Sequence, residues 1–128
     1  MKATATFQHH RWEALPEDGM GGSITRRLVS GQQAMVARIA FKAGDVAPRH
    51  SHPNEQITCI LSGALSFQLG AAGEQELVLR AGELLVIPPD LPHGAQALED
   101  TQVIDIFAPP RQDWLAGTGA YAREEASA

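Results

Sequence analysis

The chain has a single cysteine among its 128 residues, Cys59, so no disulfide can form within it. A fold without such a bridge suits a reducing compartment, and the cytoplasm is the expected location. Basic residues are also scarce: ten Lys and Arg stand against fifteen Asp and Glu, a net charge of -5, and Arg26-Arg27 is the only adjacent pair. With no clustered positive charge to track phosphates, no nucleic-acid partner is expected. Long apolar runs are missing as well. Those such as Leu84 to Ile87 fall far short of the ~20 residues of a membrane helix, and no apolar leader with a cleavage site follows Met1, so no membrane partner is expected. No stretch reads as a long amphipathic helix, and only 12 Gly and 8 Pro are present, which removes coiled coils, collagen-like repeats and disorder. What remains is 44% apolar and 20% charged residues, the composition of one packed domain. A domain of this size buries roughly two thirds of the surface its unfolded chain exposes, so it stands without a structural metal, and any metal is free to serve function.

The apolar pattern that is present has period two, in short runs broken by turn residues about every ten positions, the signature of an all-β chain. Strands are expected at Ser23 to Val29, Ala34 to Phe41, Gln56 to Leu61, Ala64 to Leu69, Glu76 to Leu79, Glu83 to Ile87, His93 to Ala97 and Thr101 to Phe107. Turns fall at Ser30-Gly31, Ser62-Gly63, Gly70 to Gly73, Ala81-Gly82 and Glu99-Asp100. Such short strands fit a sandwich, a jelly roll or a small barrel. The expected division is a leading segment over 1–20, a β-barrel over 21–110, and a turn or short helix with a tail over 111–128. Pro110 stands near the start of one helical turn ending at Leu115, and the Gly-, Ala- and Glu-rich stretch from Ala116 to Ala128 reads as a frayed tail.

Three histidines fall into two clusters at strand boundaries. The first is Gly44-Asp-Val-Ala-Pro-Arg-His50-Ser-His52-Pro-Asn-Glu55-Gln56, closing on Ser62-Gly63. In extended chain, residues two apart share a face, so His50 and His52 project side by side, and Gln56 shares their parity across the interruption of Pro53. The second is Gly82-Glu-Leu-Leu-Val-Ile-Pro88-Pro89-Asp90-Leu-Pro92-His93, whose prolines force a tight reversal and hold His93 at the start of the next strand. Imidazoles from these two places meet on one cation only if the sheets close over each other, as in a β-barrel.

These segments resemble the two motifs of the cupin family. Motif one runs Gly, five residues, His-x-His, three or four residues, Glu, six residues, Gly; here Gly44, His50, His52, Gln56 and Gly63 take those places, with glutamine for glutamate. Motif two runs Gly, five residues, Pro-x-Gly, two residues, His, three residues, Asn; here Gly82, Pro88, Asp90, His93 and Ala97 match, with Asp for Gly and Ala for Asn. The resemblance implies an all-β, single-domain double-stranded β-helix, the cupin jelly-roll barrel. A finer likeness follows in Pro88-Pro89-Asp90-Leu91-Pro92-His93-Gly94, Leu98-Glu99-Asp100 and Asp105-Ile-Phe107-Ala-Pro-Pro-Arg111-Gln-Asp-Trp114. It is similar to the pectin-degradation cupins that open the rings of unsaturated uronates, which carry Asp-x-Phe-x-x-x-Arg after motif two. That resemblance implies His50, His52, Gln56 and His93 as ligands of a divalent transition metal (Zn, Ni, Mn or Fe), and Asp105, Phe107 and Arg111 as catalytic residues.

Other residues have plainer expectations. His9 and His10, outside any strand pattern, belong at the surface. Glu55, of odd parity, should point away, although a shift of register would make it an acidic ligand. Cys59, among Ile57, Ile60 and Leu61, is expected to be an inert core thiol. Asp105 sits in the otherwise apolar Val103 to Phe107, where an unpaired carboxylate is costly to bury, so it meets either a polar cavity or a partner such as arginine. Alongside Arg111, Arg38 and Arg49 are candidates for recognising a substrate carboxylate.

Three neutral imidazoles and a neutral amide leave the charge of a divalent cation uncompensated, so a small anionic or sugar-like substrate is expected. For an unsaturated uronate, Asp105 would move a proton and Arg111 would pair with the carboxylate. The same ligand set also suits a metal-dependent dioxygenase, a lyase, or a non-catalytic cupin that binds a small molecule. Finally, Ala34 to Ala40 and Val103 to Phe107 are apolar at both parities, so both sheet faces should be covered, and a homodimer through sheet-on-sheet contact is expected.

Overall fold

Alternation of apolar and polar side chains commits one face of each run to an interior. In the computed structural model, which describes residues 6–117, the result is two antiparallel sheets. The strands are β1 (Asp18–Gly21), β2 (Ile24–Ser30), β3 (Met35–Phe41), β4 (Val46–His50), β5 (Glu55–Ser62), β6 (Ala64–Leu69), β7 (Gln75–Arg80), β8 (Leu84–Ile87), β9 (His93–Ala97) and β10 (Thr101–Ala108). One sheet has the order β1-β2-β3-β10-β5-β8 and the other β4-β9-β6-β7. A 3-10 turn at Trp12–Ala14 precedes them and a single helical turn, α1 (Gln112–Leu115), follows. The expected tail lies outside the described residues beyond Gly117.

Each expected strand is present, with no end shifted by more than one residue, and two more join them. Asp18-Gly-Met-Gly is too polar and glycine-rich to show a period, yet it pairs with β2 through the turn at Gly21 and Gly22, whose φ angles of 112° and 57° suit glycine. In β4 the register with β9 shifts between Ala47 and His50, a bulge that breaks the alternation on which strand recognition rests.

Between the sheets lie Met20, Ile24, Ile39, Leu65, Phe67, Leu79, Ile87, Val103 and Phe107, all buried. Two inward rows cross the larger sheet near one end: Gln56 pairs with Phe107, and Thr58 pairs with Asp105. Facing them, His50 pairs with His93 at the matching end of the smaller sheet. The histidines and the Asp105 carboxylate therefore share one mouth of the barrel. One expectation fails here. Cys59 is not in the core: its odd parity places it half-buried on the outer face, opposite Leu84 and Ile104.

Candidate metal centre

His50 ends β4, His52 follows two residues later, and His93 opens β9. The proline-rich reversal between β8 and β9 is tied to the first cluster through its backbone, because the Asp90 N–H donates to the His52 carbonyl at 2.8 Å. Asp90 itself takes a φ of 67°, where the family motif has glycine. The three rings then lie 4.5 to 5.6 Å apart between centroids, and one nitrogen from each falls within 4.8 Å of the others.

Their protonation is set by short-range backbone contacts. Nδ1 of His50 lies 2.8 Å from the Pro48 carbonyl, Nδ1 of His93 lies 2.8 Å from the Leu91 carbonyl, and Nδ1 of His52 lies 3.1 Å from the Asn54 carbonyl. A carbonyl only accepts, so each Nδ1 carries the hydrogen and each Nε2 presents a lone pair. In that tautomer the 3.0 Å approach of His52 Nε2 to Gln56 Oε1 sets two lone pairs against each other. His93 Nε2 is buried and has no hydrogen-bond partner. Lone pairs crowded together in this way are what a cation relieves, and imidazole nitrogens with an amide oxygen fit a divalent transition metal. Burial depresses all three histidines, His50 to about 3 and His93 to about 4, so they stand neutral and ready to ligate at neutral pH. For His50 the neighbouring His93 adds to the effect, and for His52 the charge of Arg111 does.

Gln56 is held from behind. Its Nε2 donates to Thr58 Oγ1 at 3.0 Å, and that hydroxyl donates to Asp105 Oδ1 at 2.6 Å. The amide oxygen is thereby turned toward the histidines, and the chain of contacts runs on to the one buried carboxylate of the cavity. Burial pushes Asp105 up to about 6, against the lowering effects of the Thr58 hydrogen bond and of Arg111. Beneath the histidines the interior narrows to about 20 Å³ among Phe41, Leu65, Phe67 and Val103, room for about one water. Outside them a groove of about 370 Å³ runs past Ser51, His52, Asn54, Pro110, Gln112 and Asp113. The space beneath the histidines is thus too small for a sugar ring, whereas the outer groove is not.

Phe107 and His52 stand edge to face, 5.6 Å between ring centroids, and Arg111 lies over both the Phe107 ring at 5.3 Å and that of Trp114 at 4.3 Å. Although it follows two prolines, Arg111 is only 1% exposed. The structure does not bring Arg38 or Arg49 to this mouth. Arg38 bonds Gln102 on the outer face of the larger sheet, and Arg49 reaches the Ala71 carbonyl. Glu55 is exposed and Gln56 buried, the orientations expected from their parity. His9 and His10 are exposed.

Three contributors went unrecognised in the sequence. Thr58 could have been found, since it shares the parity of Gln56 in a buried run. Asn54 could not: its Nδ2 donates to the carbonyls of Pro109 and Pro110 at 2.6 and 3.2 Å, a contact across half the chain that moors the segment carrying Arg111. Trp114 is buried between the guanidinium groups of Arg111 and Arg26, the latter 4.6 Å from its ring.

Residues 37–107 match the cupin domain. The chain belongs to the cupin family. This cupin is 29% identical over 103 residues to the pectin degradation protein KdgF of Dickeya dadantii, an alignment that covers 78% of this chain and 91% of that protein. Its fold superposes on KdgF from Halomonas sp. with a TM-score of 0.77 and 28% identity, over 85% of this chain and 99% of that one. It superposes equally, at 0.77 with 24% identity, on an RmlC-like cupin from Shewanella frigidimarina, over 85% and 96% of the two chains. The last likeness concerns the fold alone.

Proposed function

We propose that this cupin is a metal-dependent enzyme that opens the ring of an unsaturated uronate. The observation that carries the proposal is the placing of Asp105: a buried carboxylate, linked through Thr58 to Gln56, at the mouth where three histidines crowd their lone pairs. The likeness to two KdgF proteins over nearly their whole lengths supports the same class of substrate. His50, His52, His93 and Gln56 would hold a divalent transition metal, which supplies Lewis acidity toward a substrate oxygen.

The chain's own groups account for the rest. Ring opening removes a proton from the anomeric hydroxyl, breaks the ring carbon–oxygen bond and returns a proton to the enolate so formed, so nothing is gained or lost overall. Asp105, raised to about 6 by burial, is largely ionised at neutral pH yet close enough to that pH to take a proton and give it back. Arg111 offers a guanidinium to the substrate carboxylate, and Phe107 supplies an apolar wall in contact with both it and His52.

The test is to incubate the purified protein with a 4,5-unsaturated galacturonate and follow the absorbance of its conjugated double bond with and without oxygen. Equal loss in both conditions is expected, because no electrons leave the substrate. Asp105→Asn should keep its metal and lose roughly 10² to 10⁴ in rate, the usual contribution of a positioned acid or base. Strict dependence on oxygen would transfer the case to a dioxygenase.

A further inference from the structure

Arg38, which the sequence offers as a carboxylate partner, points away from the histidines. Its neighbours Ala37 and Ile39 are buried in the interior, so its own side chain leaves by the outer face of the larger sheet. There it meets Arg27, with which it is directly paired between β2 and β3, and the two guanidinium groups share that face. Like charges set opposite each other across a ladder repel, and an anion between them removes the cost. Arg27 has a partial answer. Glu17 lies 3.7 Å from its Nη2, and its Nη1 donates to the carbonyls of Trp12 and Leu15 at 2.8 and 3.3 Å. Arg38 has only the Gln102 Oε1, to which its Nε donates at 3.4 Å; among the described residues no carboxylate lies within 4.0 Å of its guanidinium.

The two arginines belong to a cleft of about 290 Å³. Its other wall is the segment over 12–17, which brings Trp12, Glu13 and Glu17, and Gln102 stands beside Arg38 from β10. We propose that this cleft is a second binding site, distinct from the metal centre, that takes a single sugar acid. The carboxylate would lie on the fork of Arg38 with Arg27 alongside, hydroxyls would donate to Glu13 and Glu17, and the ring would rest beside Trp12. Each part excludes a simpler ligand. A bare inorganic anion meets two glutamates that repel it, and a neutral sugar leaves the opposed arginines as they are. The volume lies near the lower end of the range for small-ligand sites, which suits one sugar ring. Because the sheet stands between this cleft and the histidines, the inference does not depend on the function proposed above.

The chain's two tryptophans make the test direct, since Trp12 lines the cleft and Trp114 packs against Arg111. The indole N–H resonances of the protein as purified are followed by NMR during titration with D-galacturonate, its methyl ester and inorganic phosphate, with Trp12→Phe assigning the signals. D-Galacturonate should move the Trp12 signal with a Kd of about 1 mM, the strength of a few exposed polar contacts, and the ester and phosphate should bind at least about threefold more weakly. Arg38→Gln should weaken binding of the acid roughly three- to tenfold without lowering the urea midpoint, because it removes one of two opposed charges. Arg38→Lys, which keeps the charge but not the fork, should recover part of that loss. A Trp12 signal that D-galacturonate leaves unmoved, or moves equally well in Arg38→Gln, overturns the site. Phosphate or the ester binding as tightly as the acid overturns its assignment to a sugar acid.

Discussion

Thr58 is the residue on which most of the site's geometry turns. One hydroxyl orients the Gln56 amide and supplies a hydrogen bond to Asp105, which counts among the influences holding that carboxylate down against burial. Thr58→Val keeps the shape and removes both contacts. Asp105 then rises above its value of about 6, and because it must be ionised to accept a proton, the acid limb of the pH–rate profile should move to higher pH. An unmoved limb would show that Asp105 is not the group that titrates. The stability cost, about 1–3 kcal/mol for stranding buried polar groups, should appear in urea unfolding. His52→Ala makes a different kind of break. Two imidazoles and an amide hold a divalent ion far less tightly than three and an amide, so elemental analysis should find most of the metal gone while circular dichroism finds the barrel intact. Metal content equal to the parent's would remove His52 from the ligand set.

Among the elements, the turn between β5 and β6 is the most exacting. Gly63 has a φ of 87°, and a Cβ there would run into the Asp100 carbonyl of the turn before β10 and the hydroxyl of Thr101, the first residue of that strand. Gly63→Ala should cost roughly 2–4 kcal/mol, combining backbone strain with a clash against backbone, and lower the denaturant midpoint accordingly. An unchanged midpoint would mean that the two turns are not locked together. Each turn is legible in the sequence as a Gly or Asp step between alternating runs, but their meeting is not, since nothing local records it. The same division holds at the site. His50, His52, Gln56 and His93 can be found by parity and spacing because strand geometry repeats every two residues. Asn54 reaching Pro109 is a product of the chain's closure. Cys59 went wrong for a simpler reason: its apolar neighbours suggested a core, but its own parity pointed outward.

For the molecule as a whole, the outer face of the larger sheet is the feature left uncovered among the described residues. Ile57 pairs with Val86 and with Ile106, and Cys59 with Leu84 and with Ile104, so these side chains form one apolar stripe running to the edge strand β8. Leu84 and Val86 are 64% and 55% exposed, more than isolated surface residues explain. A second copy covering this stripe remains the expected state, and light scattering at micromolar concentration should give twice the chain mass of 13.7 kDa, with 13.7 kDa itself counting against it. The opposite lesson comes from the histidines, whose Nδ1 contacts are all to carbonyls two residues away, at Pro48, Asn54 and Leu91. Each ring is aimed by its own stretch of backbone and asks nothing of the distant barrel beyond being brought near the others. The three histidines are in that sense transplantable: residues 48–54 and 91–93, grafted as two short cassettes onto another jelly roll with the same strand ends facing, would arrive already carrying the groups that fix their tautomers.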